Sequence, residues 1–234
     1  LAVTGVQTCA LPILLELLVP AGNLDAVIAA VQNGADAVYM GFGDGFNARR
    51  SADNFTRESF AKAVRYCHIR GCKVYVTLNT LVGDREMDAA AALAQQASDA
   101  GADAILVQDL GLARVLRAAL PDIPLHASTQ MSIHNLAGVE AAAEMGITRA
   151  VLARELSLEQ IRFISQHASI ETEVFVHGAL CFCYSGQCYM SALIGRRSGN
   201  RGACAQPCRM QYSMGGRMDE YPREIGRASC RERV

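Results

Sequence analysis

Residues 100–107 read AGADAILV, and the same plan returns at residues 33–40 (NGADAVYM) and 145–152 (MGITRAVL). In each octet a glycine closes an alanine-rich stretch of helical period and opens a short aliphatic run. Glycine reaches the left-handed backbone that ends a helix, and an unbroken apolar run suits a strand buried on both faces. Each octet is therefore read as the end of a helix and the strand that follows it. Working outward, seven strands are expected at residues 16–19, 37–40, 73–78, 104–107, 124–127, 149–152 and 173–176. Helices are expected at 24–33, 57–70, 85–100, 111–119, 135–145 and 158–166, with Asn23, Thr56 and Ser157 as N-caps. Strands and helices alternating in this way build a parallel sheet with right-handed crossovers. The expected fold class is α/β, a TIM-like (β/α) barrel. Its eighth strand falls at residues 211–214 or outside this chain, which leaves the barrel closed or incomplete. An open doubly wound sheet is the alternative, but no GxGxxG opens any helix, and the glycine-rich run at 41–45 leads into FNARR instead.

A barrel carries its chemistry where its strands end. The residues just past the strands include Asn47 and Arg49, Asn79, Asp109, Gln130, Arg154 with Glu155, and His177. A shared pocket built from Asn79, Gln130, Arg154, Glu155 and His177 is expected, although each residue alone also suits ordinary capping. Arg49 and Arg154 offer forked guanidinium groups for carboxylates, and Asn79 and Gln130 can read an amide or base edge. Glu155 equally suits neutralising Arg154 or capping the helix that begins beyond Ser157. The candidate catalytic residues are thus His177, Arg154, Glu155 and Gln130, and the candidate substrate-binding residues are Arg49, Asn79 and Asn47.

Residues 173–208 hold five of the nine cysteines. Cys181, Cys188, Cys204 and Cys208 are separated by six, fifteen and three residues, among glycines and polar side chains. Thiolates in such a loop favour zinc or an iron-sulfur cluster, and the spacing does not choose between them. Ordinary buried thiols are the plain alternative. His177 stands four residues before Cys181, which invites a thiol nucleophile with histidine as base. Several thiols compete for that role, and no orienting acid or amide is identifiable. Cys183 is read as a spare thiol, and Cys67 and Cys72 as core or turn residues.

Glu173, Phe175, Gly178, Ala179, Leu180, Cys181, Gly186, Cys188, Met190 and Ser191 match every fixed position of a long signature, and NRGACAQPCR follows at 200–209. On these residues the chain resembles peptidase family U32, the collagenase-like protease family, and within it the members that hydroxylate RNA. The resemblance implies an oxygen-independent hydroxylase acting on a tRNA uridine or a ribosomal RNA cytidine; other members hydroxylate the ubiquinone ring. It also implies an iron-sulfur cluster of the 4Fe-4S kind, and prephenate as the oxygen donor. By matching positions, Cys181, Cys188 and Cys204 would hold the cluster, with Cys208 or a cysteine farther along as the fourth ligand. Prephenate is a dicarboxylate, which would occupy Arg49 and Arg154. The family name keeps a peptidase open, without an HExxH or GxSxG motif to support it. A zinc-stabilised RNA-binding module is the third reading.

Residues 3–13 (VTGVQTCALPI) and 224–234 (EIGRASCRERV) look like translated sequencing-adapter DNA. They are set aside from fold reasoning. The expected organisation is therefore a barrel at 14–180 and a cysteine-rich, cluster-binding segment at 181–223, between adapter-derived ends at 1–13 and 224–234. Seven cysteines remain when Cys9 and Cys230 are set aside. An odd thiol count without an export signal points to a reducing cytoplasm. The apolar residues 11–21 lack a basic leader and are broken by Glu16, and no apolar run approaches the roughly 20 residues that span a bilayer. A net charge of −1 argues neither for nor against nucleic acid. Local charge says more, because Arg196, Arg197, Arg201, Arg209 and Arg217 crowd the cysteines, where they suit phosphates or a solvated face.

Overall fold

The computed structural model describes residues 15–43, 45–48, 54–178 and 181–210. Seven strands, β1 (Leu18–Pro20), β2 (Ala37–Met40), β3 (Lys73–Leu78), β4 (Ala104–Val107), β5 (Leu125–Ala127), β6 (Arg149–Val151) and β7 (Glu171–Glu173), form one parallel sheet in sequential order. The crossovers carry α1 (Leu24–Gln32), α2 (Arg57–His68), α3 (Met87–Asp99), α4 (Leu110–Ala119), α5 (Leu136–Glu144) and α6 (Leu158–His167). A seventh helix, α7 (Met190–Gly195), lies within the cysteine-rich segment. Each expected strand and helix is present, most within two residues of its expected limits.

Local chemistry explains the regularity. The side chains of Asn23, Thr56 and Ser157 cap α1, α2 and α6 as expected, and Asp109 and Asn135 do the same for α4 and α5. Gly34, Gly101 and Gly146 all take positive φ, the left-handed turn that the repeated octets demand. In the two GAD sequences the aspartate has its own task. Asp36 accepts the backbone N–H of Leu17, and Asp103 accepts that of Val74, so each ties its turn to the start of a neighbouring strand.

Alternate residues of each strand fall into two cores, as a pleated sheet with two covered faces requires. Val38, Val74, Val76, Ile105, Leu125 and Ala150 pack outward against the helices, where Val27, Phe60, Leu112 and Val139 meet them. Ala37, Tyr75, Ala104, Leu106 and Val151 form a second cluster on the concave face. At its lower end this face turns ionic. Arg149 of β6 donates to Glu16, just before β1, at 2.5 Å and to Glu171 of β7 at 2.8 Å. Lys73 and Tyr75 of β3 bond the same Glu16 at 3.0 and 2.8 Å. Strand order places β1 and β6 five positions apart, so these bonds exist only because the sheet curls round on itself.

The last strand corrects the expectation of residues 173–176. β7 occupies Glu171–Glu173, and Val174, Phe175 and Val176 are exposed. Its register with β6 ends at Val151 and Glu173, and among the described residues no strand flanks its other edge, so the apolar run beyond has no ladder to join. The eighth strand expected at 211–214 lies outside the described residues. The helix expected at 85–100 opens instead with a 3-10 turn, Asp84–Glu86. Cys67 and Cys72 are buried, as read.

Glu173 is the odd carboxylate of the ionic floor. Arg149 already serves Glu16 and Glu171, leaving Glu173 3.6 Å away with a buried oxygen that lacks a hydrogen bond. Burial pushes its carboxyl up to about 7, against the pull of Arg149. A raised carboxyl adds stability below its ordinary range and loses it as pH rises through the folded value. The Tm advantage of the native protein over Glu173→Gln is therefore expected to shrink steadily between pH 5 and pH 8, read by thermal melts of both proteins. Removing the guanidinium with Arg149→Ala strands the buried carboxylates, and equilibrium denaturation should show a loss of about 3–5 kcal/mol.

Candidate active site at the mouth of the barrel

Four of the polar residues expected at the strand exits, Asn79, Gln130, Arg154 and Glu155, fall into one linked group at the C-terminal mouth of the sheet. Asn79, after β3, accepts from the Ala48 N–H at 3.0 Å and donates to Ser128 at 3.2 Å, joining the loops after β2, β3 and β5. Ser128 in turn receives the Gln130 N–H. Gln108, after β4, donates to the Gln130 carbonyl at 3.4 Å, while its own side-chain oxygen is buried without a partner. Arg154 and Glu155, after β6, converge on Ser185 of the cysteine segment. Arg154 donates to its hydroxyl at 3.0 Å, and Glu155 accepts its N–H at 2.9 Å and its hydroxyl at 3.1 Å. The second oxygen of Glu155 lies 3.3 Å from His134.

Other expectations resolve differently. Glu155 neither caps α6, which Ser157 does, nor pairs with Arg154; it is an anchor for Ser185 and a partner for His134. The Asn47 side chain is buried and donates to Asn54, and it packs where a Cβ on Gly41 would sit, so it shapes the loop after β2. Asp109 caps α4 and receives the Val82 N–H. His177 is exposed and makes none of these contacts. Arg49 lies outside the described residues, as do Ala179 and Leu180 of the signature. Gln108, His134, Ser185 and Glu86 escaped the sequence reading. Gln108 sits one residue before the aspartate that looked like the exit, and Ser185 lies between fixed positions of the signature, so neither carried a signal.

The cysteine segment lies across the mouth on two anchors. One is Ser185, which also bonds Thr129 at 3.4 Å and whose carbonyl accepts from Ser132. Beside it Gly186 has φ +73° and presses on the loop after β5, where an added Cβ would collide with the Gln130 carbonyl. The other anchor is Arg201, whose guanidinium forks onto both oxygens of Glu86 at 2.5 and 2.7 Å. The fork, and then the Gly83 N–H, hold the Glu86 carboxyl well below its ordinary range, at about 2. The Leu81 N–H completes this anchor on the Asn200 carbonyl. Thus one short segment bridges the exits of β3, β5 and β6.

All seven described cysteines are free thiols. Burial pushes the Cys208 thiol up, and so do Cys181, Cys204 and Cys188. Burial, and then Cys188 and Cys181, likewise raise the Cys183 thiol. The Gln206 N–H reaches the Cys204 sulfur at 3.4 Å. Among the described residues, no three His, Cys, Asp or Glu side chains are close enough to grip a metal ion as they stand. Thiols are the donor type that a soft metal centre takes, but the described sulfurs are not gathered closely enough to hold one as they stand.

The Peptidase family U32 model matches residues 22–231. The chain belongs to Peptidase family U32. The U32 match begins after the N-terminal stretch set aside above and overlaps residues 224–231 of the C-terminal one. The chain is 44% identical to the Escherichia coli 23S rRNA 5-hydroxycytidine synthase over 90% of its own length and 32% of that protein. It is 41% identical to a Bacillus subtilis tRNA hydroxylation protein, over 85% of this chain and 47% of the relative. A Porphyromonas gingivalis protein named collagenase is 36% identical over 85% of this chain and 50% of its own length. The chain therefore spans about a third to a half of these curated relatives. A solved U32 peptidase shares the fold at a TM-score of 0.60 and 15% identity, covering 76% of this chain and 75% of that one. No helix among the described residues of this U32 chain is long and apolar enough to cross a membrane.

Because Gly186 is pinned both by its backbone angle and by the Gln130 carbonyl, Gly186→Ala should lift the segment while the barrel stays folded. Hydrogen exchange is the check: amides of residues 181–210 should exchange faster than in the native protein, with β2 to β5 unchanged.

Proposed function

We propose that this chain is the catalytic portion of an RNA-hydroxylating enzyme, acting on a pyrimidine base of ribosomal or transfer RNA. The observation that carries the reading is that similarity to relatives named for RNA hydroxylation covers 84–90% of the chain, and so takes in both barrel and cysteine segment. In this reading Cys181, Cys188, Cys204 and Cys208 hold a 4Fe-4S cluster at the mouth, and Cys183 stands beside them. Such a cluster supplies electron transfer, which side chains do not. The oxygen donor is a dicarboxylate, with prephenate the proposed compound. Arg154 suits one of its carboxylates, because its side chain bonds Ser185 through Nε and leaves the terminal nitrogens available. Gln130 lies next to this group, and Asn79 fixes the loops around it.

A peptidase is the second reading, favoured by the collagenase-named relative. One observation weighs against it: His177, the base such a thiol would need, is exposed and outside the bonded group.

The deciding experiment expresses the full-length protein in a bacterial host lacking its own RNA hydroxylases and analyses RNA nucleosides by mass spectrometry. A hydroxylated cytidine or uridine that disappears in Cys181→Ser and Cys188→Ser variants is expected. Anaerobically purified native protein should carry about four irons and four sulfides per chain, and these variants should lose most of both. Peptide hydrolysis that survives iron removal, with RNA unchanged, would sink the reading.

A further inference from the structure

The cysteine segment has an outer surface that neither the barrel nor the thiols use. All 23 acidic residues of the protein lie outside residues 174–218, whereas five arginines lie inside. Four of these, Arg196, Arg197, Arg201 and Arg209, fall in the described part, and Arg201 is pinned to Glu86. Arg196 and Arg197 are exposed. The same segment turns three aromatic rings outward: Phe182 is 80% exposed, Tyr184 63% and Tyr189 64%. Exposed rings of this size are costly in water unless something covers them. Tyr184 ties this surface to the mouth, because its ring lies 5.9 Å from that of His134 and it directly precedes Ser185. Segment packing holds the set together. Ala205 donates to Ser191 at the start of α7, and Arg197 donates to the Ala203 carbonyl.

Rings that accept any flat partner, on a segment that carries arginines and no acidic residue of its own, match unpaired nucleotides, whose bases stack and whose phosphates need cations. We infer that the outer surface of residues 181–210 is a platform for single-stranded RNA, with Phe182, Tyr184 and Tyr189 stacking unpaired bases and Arg196 and Arg197 neutralising phosphates. The inference rests on the proposed function and assigns to it the form of its substrate: an unpaired stretch, because bases inside a duplex cannot stack on side chains. A target base next to the stacked ones would then enter the mouth past Tyr184.

Full-length protein titrated with a fluorescent single-stranded oligoribonucleotide, and separately with its duplex, tests this by anisotropy. Single strands should bind more tightly. Phe182→Ala and Tyr189→Ala should each weaken single-strand binding on the order of ten-fold. Arg196→Gln and Arg197→Gln should each lower the slope of log affinity against log salt by about 0.7. Hydroxyl-radical footprinting of free full-length protein provides the control: if Phe182, Tyr184 and Tyr189 resist side-chain labelling without RNA, another part of the protein covers the rings and the inference is wrong. Unchanged affinity in the ring variants would also overturn it. Binding that follows these rules without any hydroxylated nucleoside would instead remove the proposed activity and leave the platform standing.

Discussion

A single guanidinium inside the curl organises this molecule. Arg149 on β6 reaches Glu16 ahead of β1 and Glu171 on β7, joining elements that begin and end the sheet. Parallel strands in sequential order would permit an open, gently twisted sheet just as well. The ion cluster selects the curled form, since three carboxylates can share that guanidinium, and Lys73 and the Tyr75 hydroxyl can share Glu16 with it, only from a concave face. Buried ions are a poor source of net stability, yet they penalise any arrangement that leaves one unpaired. Their value here is in specifying shape. The curl is what brings the exits of β3, β5 and β6 to face one mouth.

The opposite end of the barrel is built differently. Where the floor is ionic and closed, the mouth is a net of amides and hydroxyls: Asn79, Ser128, Gln108 and Gln130 hold one loop to the next. Onto this net the cysteine segment docks by Ser185 and by the Arg201 to Glu86 fork. The family signature therefore has a mechanical side. Glu173 belongs to the floor, Gly186 lets the segment lie flat on the loop after β5, and Ser191 receives the Ala205 N–H that folds the segment back on itself. Only its cysteines face the proposed chemistry. In the proposed reading, thiols on the docked segment would serve electron transfer beside an anionic oxygen donor held by Arg154, and the exposed aromatic and basic side chains of the same segment would meet the RNA that presents the base.

Much of the fold was legible in the chain alone, and the reason is local. Helix caps, left-handed glycines and unbroken apolar runs are satisfied within a few residues of one another, so seven strands and six helices could be read in order. The cysteine-rich segment is legible for a similar reason, as thiols, glycines and arginines crowd a single stretch. What the residues could not reveal was partnership. Glu155 looked like a catalytic acid or a helix cap and is the anchor of a serine 30 positions away. Asn47 looked like a substrate contact and is a buried loop support. Val174, Phe175 and Val176 looked like a strand, but a strand is made by its neighbour, and the register with β6 had already ended.

By itself, then, the sequence determined the alternation of strand and helix, the direction of the sheet and the gathering of the cysteines in one segment, because each depends on short-range backbone and side-chain chemistry or on chain order alone. Tertiary structure alone decided that the sheet curls, that Gln108 and His134 join the mouth, and that the cysteine segment spans it rather than hanging from the last strand. Those outcomes depend on bonds between residues as far apart as Glu16 and Arg149 or Glu86 and Arg201, whose pairing no local pattern encodes.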